Sequence, residues 1–122
     1  MQILIKGENM IIKKLFETPV METAHNVDAR NLYNKETAMV TVITLKPGQS
    51  LKPHITPVDV AFYVLKGKGI VEIGDEKKEV EENSLIESPK DIKHCLYNNG
   101  TEDFMFMVIK APRPTKKTIF IA

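Results

Sequence analysis

A single cysteine, Cys95, is all the thiol this 122-residue chain carries. It cannot close an intramolecular disulfide, so the fold does not rest on oxidation, which fits a reducing cytoplasm. An excess of one charge sign is also missing: 17 Lys and Arg stand against 16 Asp and Glu, a formal net charge of +1. A nucleic acid or a membrane surface would call for a concentrated basic patch, so neither is expected as a partner. Long apolar runs are absent. Phe104 to Ile109, among the longest, is far too short to span a bilayer. The N-terminus has no charged start followed by a long apolar stretch and a small-residue cleavage site, so no secretory signal is expected. The expected location is the cytoplasm. No segment shows a long apolar stripe of 3.6-residue period, and there are no repeats, low-complexity tracts or linkers.

What is present is an ordinary soluble composition, 43% apolar and 27% charged. The length suits one domain, residues 1–122, able to bury a core without disulfides or structural metal. Short β-type runs alternate with turn residues. Met39 to Leu45 is rich in Val, Ile and Thr and stops at Pro47-Gly48. Val60 to Leu65 is aromatic and β-branched. Gly67-Lys68-Gly69 turns the chain into Ile70 to Ile73, and Gly74-Asp75 turns it again into a charged stretch ending at Val80. Leu85 and Ile86 follow a polar break. A strand through His94 and another from Phe104 to Ile109 flank the turn at Asn98-Asn99-Gly100. Thr118 to Ile121 reads as a last short strand, and Gln2 to Lys6 as a short extra strand or a start-site extension before Met10. A short helical turn is expected near Asn26 to Tyr33. Turn signals this closely spaced mark a sandwich or barrel. Several strands are apolar on both faces, which fits packed double sheets and also burial of an outer face in a dimer.

Two segments carry a family resemblance. The first reads Gly48, five residues, His54, one residue, Thr56, then Val60 to Gly67. It resembles the first cupin motif, G-x5-H-x-H-x(3,4)-E-x6-G. The second reads Asn83, five residues, Pro89, one residue, Asp91, two residues, His94, three residues, Asn98, and resembles the second motif, G-x5-P-x-G-x2-H-x3-N. The likeness covers residues 36–110. It implies an all-β double-stranded β-helix, the RmlC-like jelly-roll barrel of small cupins. It also implies a site inside the barrel. Metal-binding cupins draw two histidines and a glutamate from the first motif and one histidine from the second. Here His54 and His94 match, but Thr56 replaces the second histidine and Val60 the glutamate. The motif glycines are replaced at Asn83 and Asp91, two residue types that tolerate left-handed backbone.

Three readings of the site follow. In the first, His54 and His94 hold a divalent metal such as iron, manganese, nickel or zinc. Asp59 is the third ligand if a bulge turns it inward, giving two histidines and a carboxylate with open positions. In the second, a histidine acts as a metal-free acid or base, as in cupin-fold epimerases and isomerases. In the third, the barrel mouth, lined by Thr56, Val60, Phe62 and Leu96 with the histidines, holds a small and mostly apolar ligand or acts as a sensor. One fold hosts many chemistries, so the motifs leave open whether the protein is an enzyme. Tyr63 and Tyr97 alternate away from the interior if Phe62 and Leu96 point in. His25 lacks motif support and reads as a surface or loop residue. Cys95 should face away from His94 and reads as a small apolar residue, not a nucleophile. Glu76 to Glu82 reads as a solvated hairpin, and Arg113 as an anchor for a terminal arm. The terminal strands lack a hairpin partner, and pairing with a second copy would cover their edges, so a homodimer is expected.

Overall fold

Glycine and its left-handed substitutes set where the strands stop. In the computed structural model, which describes residues 9–121, Gly67 has φ +74° and a Cβ there would run into the Asp103 carbonyl. Only glycine suits that corner. Asn83 (φ +65°) and Asp91 (φ +63°) are left-handed at the two places where the sequence motif has glycine. Their short polar side chains make that conformation tolerable, as the sequence suggests.

Among the described residues ten strands run between such turns: β1 (Asp28–Lys35), β2 (Ala38–Leu45), β3 (His54–Ile55), β4 (Val60–Lys66), β5 (Lys68–Ile73), β6 (Glu76–Glu81), β7 (Leu85–Ser88), β8 (Lys93–Tyr97), β9 (Phe104–Lys110) and β10 (Ile119–Phe120). They form two five-stranded sheets, ordered β1-β2-β9-β4-β7 and β10-β3-β8-β5-β6. Each pairing is antiparallel. The expected all-β double-stranded β-helix is therefore the observed fold. Alternation along each strand sorts side chains to the inside or outside. Along β4, Val60, Phe62 and Val64 are buried, and along β9 Phe104, Phe106 and Val108. These six, with Leu45 and Leu96, form the centre of the core between the sheets. Phe62 and Phe106 meet edge to face at 6.1 Å, the favoured geometry for a pair of aromatic quadrupoles. Tyr63 and Tyr97 are half-buried on the outer faces, as alternation requires.

Two sequence expectations are corrected. The segment Asn26 to Tyr33 is no helical turn: Asp28–Lys35 is β1, paired along its length with β2. Its polar composition suits an edge strand, and the backbone of β2 supplies the partner that local propensity does not register. The described helical turn is a 3-10 turn at Leu15–Glu17. The second correction concerns Thr118 to Ile121. Ile119 and Phe120 pair with Ile55 and His54 of the same chain, so this strand has an internal partner. Gln2 to Lys6 lies outside the described residues. Arg113 anchors the chain after β9, as expected: its amide donates to the Glu36 carbonyl and its guanidinium to Asn34 Oδ1 at 3.0 Å. The β6 hairpin is exposed and charged. Among the described residues no helix is long and apolar enough to cross a membrane.

Candidate functional site

β3 is only two residues long, yet it fixes the site. It pairs with β8 so that His54 stands directly opposite His94. Both side chains point into the barrel and both are buried. Their Nε2 atoms lie 3.0 Å apart, with the rings edge-on at 4.4 Å between centroids.

The hydrogen-bond partners decide the tautomers. His54 Nδ1 sits 2.6 Å from the Lys52 carbonyl oxygen, which can only accept. His54 Nδ1 therefore carries the hydrogen, and neutral His54 has its lone pair on Nε2. His94 Nε2–H donates into that lone pair, with Thr56 Oγ1 at 3.2 Å as a second acceptor. His94 Nδ1 is then left to accept from the Ser88 hydroxyl at 2.7 Å. The result is a directed chain: Ser88 to His94 to His54 to the Lys52 carbonyl. Thr56 and Ser88, both 1% exposed, are buried because they close it. An unpaired polar group there would cost about 1–3 kcal/mol.

A third imidazole joins from the loop before β1. His25 Nδ1 accepts from the Lys52 amide at 2.8 Å, so its hydrogen resides on Nε2. Its ring lies 4.9 Å from that of His54 and packs edge-on against Phe120 of β10 at 5.3 Å. The three histidines share a cavity of about 200 Å³, walled by Phe62, Val60, Leu51, Met39, Phe120 and, from the end of β9, Lys110. Among the described residues no carboxylate lines it. Burial acts on every basic group here, because the charged form loses its water. Burial first, and the neighbouring His54 and Lys110 second, hold His94 at about 3. The same causes hold His25 at about 4. His54 is lowered by burial, against the Lys52 carbonyl bond that favours its charged form. Lys110 is lowered by burial as well. At neutral pH the three rings are uncharged.

Residues 41–110, more than half of the chain, match the family model described as a cupin domain. The chain belongs to the cupin family. An uncharacterized protein of Methanocaldococcus jannaschii is 25% identical over 107 residues, covering 87% of this cupin and 90% of that protein. A solved RmlC-like cupin from the same organism, with a double-stranded β-helix fold, superposes with a TM-score of 0.69 at 23% identity, covering 86% and 95% of the two chains. The polyketide cyclase RemF of Streptomyces resistomycificus superposes with a TM-score of 0.81 at 16% identity, covering 93% of this chain and 86% of its own. At such identities the likeness is one of fold.

Measured against the sequence reading, this cupin brings His54, His94, Val60 and Phe62 to the cavity, while Thr56, expected in its wall, is buried and reaches the site only through its bond with His94. Two residues go elsewhere. Asp59 does not turn inward: its Oδ1 accepts from the Lys90 amide at 2.9 Å, tying the end of the Pro57 turn to the Pro89-Lys90-Asp91 turn on the outside. Leu96 shares the inner face of β8 with His94 but lies fully buried in the core and does not reach the cavity wall. His25 is corrected in the opposite direction. It is a loop residue, but it faces the site. Lys110 and Phe120 have no place in the motifs. Lys110 was readable all the same, since it follows Phe104, Phe106 and Val108 in steps of two along the inward face of β9. Cys95 faces away from His94, donates to Glu72 Oε2 at 3.2 Å and is pushed up to about 11 by burial and that carboxylate, so it is no nucleophile at neutral pH.

The donor set does not fit a tightly held metal ion. Structural and catalytic sites use three or four protein ligands. Here His54 and His94 offer two, and His94 only after its hydrogen moves to Nδ1. His25 has its lone pair engaged by the Lys52 amide. Among the described residues no carboxylate reaches the cavity, and the Lys110 ammonium repels a cation. Among the described residues no group of three or more His, Cys, Asp or Glu is arranged to hold a metal.

Proposed function

We propose that this cupin binds a small organic ligand directly in the barrel cavity, without a bound metal. The observation that carries the reading is the directed hydrogen-bond chain. Each ring nitrogen of His54 and His94 already has a partner, and the cavity wall beyond them is apolar with a few polar groups, the composition of a small-molecule site. A cavity of about 200 Å³ suits a molecule of roughly ten non-hydrogen atoms, given that about 150 Å³ holds benzene. Cupin relatives in fold include a polyketide cyclase, so turnover of such a ligand is compatible with the scaffold. In the resting site neither His54 nor His94 presents a free lone pair to the cavity, which favours binding over base catalysis.

The test is elemental analysis of untagged protein after incubation with iron, manganese, nickel or zinc salts and desalting. The proposal expects well under one equivalent of any metal, unchanged in a His54→Ala, His94→Ala variant. Near-stoichiometric metal in the wild type, absent from the variant, would overturn it and restore the metal reading.

We propose in addition that the protein is a homodimer. Ile11, Ile12, Phe16 and Ile119 are all more than 60% exposed, a density of bare apolar side chains that a second copy would cover.

A further inference from the structure

Among the described residues Lys110 is the one ammonium in the cavity wall, and it is there by register. It ends the inward-facing series of β9, opposite Met39 of β2 and Val60 of β4. A lysine taken from water into an apolar wall is destabilised unless a counter-charge meets it. None does. Among the described residues the cavity wall holds no carboxylate, and the salt bridges, Arg30–Asp28 and Lys78–Glu76, lie elsewhere. The other polar groups facing the space point the same way. His25 presents an Nε2–H, a donor, since its Nδ1 is taken by the Lys52 amide. Thr23, Thr41 and Thr118 add hydroxyls that can donate. Donors and a cation together with the apolar side chains of Ile43, Leu51, Phe62 and Val108 suit a ligand with a charged head and an apolar body.

We infer that the cavity takes a small organic anion, a carboxylate with a short apolar body, whose charge is met by Lys110 Nζ. The inference rests on the reading above, that an organic ligand enters the cavity directly. An anion supplies the counter-charge that the described residues do not, and the apolar wall excludes water from the pair, which strengthens it. A neutral ligand of the same shape leaves Lys110 unpaired and is bound less well. A cation is repelled.

The probes are benzoate and hexanoate, each beside its uncharged amide, benzamide and hexanamide. They are titrated into the full chain and followed by amide proton–nitrogen correlation spectra. The expected result is that each acid binds at least about ten-fold more tightly than its amide, the scale of one charge-assisted hydrogen bond, with shifts centred on His25, Leu51 and Lys110. Lys110→Met should erase the preference for acid over amide and leave amide binding in place. Lys110→Arg should keep the preference, and it serves as the check should the methionine variant fail to fold. Amides binding as tightly as acids, or a preference that survives in Lys110→Met, would overturn the inference while leaving the organic-ligand reading intact. No shift of cavity residues with any of the four probes would overturn that reading too.

Discussion

Acid should unfold this protein through its histidines, and the size of the effect follows from burial. In the unfolded chain each imidazole titrates near its ordinary 6.5; in the folded protein His94 is held at about 3 and His25 at about 4, chiefly by desolvation. A base with a depressed folded pKa takes up its proton on unfolding. Its contribution to stability is complete above pH 6.5 and is lost as pH falls toward the folded value. Over that window the loss is about 1.4 kcal/mol per pH unit for each fully shifted group. By about pH 5, His94 accounts for roughly 2 kcal/mol. His25 is only half-buried and solvent screens it, so about 1 kcal/mol is the fair allowance. His54 acts in the same direction. A total near 3 kcal/mol is a large part of the roughly 5–15 kcal/mol that holds a domain folded. The assay is urea unfolding between about pH 7.5 and 5, for the wild type and for His94→Gln. The variant is less stable throughout, but its stability should fall more gently with acid, by about one proton's worth of slope. Parallel pH profiles for the two proteins would refute the claim that His94 is buried uncharged.

Three further expectations follow from the packing. Ser88→Ala removes the donor to His94 Nδ1 and leaves a buried acceptor unpaired; the loss should be about 2 kcal/mol in the free energy of urea unfolding, whereas a change under about 0.5 kcal/mol would mean water takes the hydroxyl's place. Gly69→Ala sets a Cβ onto the ring of Phe104, which is fully buried and cannot swing aside, and close to the Tyr97 carbonyl; destabilisation near 3 kcal/mol is expected, and a neutral result would show that β5 and β9 are looser than drawn. Light scattering at high protein concentration should give twice the chain mass, and a monomer there would remove the homodimer proposal.

The sequence carried the barrel well because its corners are written in residue types. Gly67, Asn83 and Asp91 each occupy left-handed backbone, and each was readable as a turn. His54 and His94 were legible for the same reason: motif position fixes strand register, and register puts them face to face. What escaped reading depends on distance in the chain. His25 approaches from a loop with no periodicity, and its place against His54 depends on a bond to Lys52, 27 residues away. Asp59 was ambiguous because strict alternation and a bulge predict opposite directions, and the deciding partner, the Lys90 amide, lies 31 residues on. Leu96 obeyed alternation but sits too deep. Period two tells which face a side chain takes, not how far along the barrel axis the cavity extends. β1 was misread because its ladder to β2 outweighs the weak strand propensity of Asp, Asn and Lys.

The short strand β10 has a practical consequence. Thr118 and Phe120 form part of the cavity wall, and Ile121 is tied back by a bond from its amide to the Pro53 carbonyl. A substitution that loosens β10 from β3, such as Phe120→Ala, would therefore open the pocket wall and unseat His25, whose ring packs against Phe120. A ligand assay on a protein altered in β10 would then report a breached wall as readily as a lost contact, so the strand is part of the site although no motif names it.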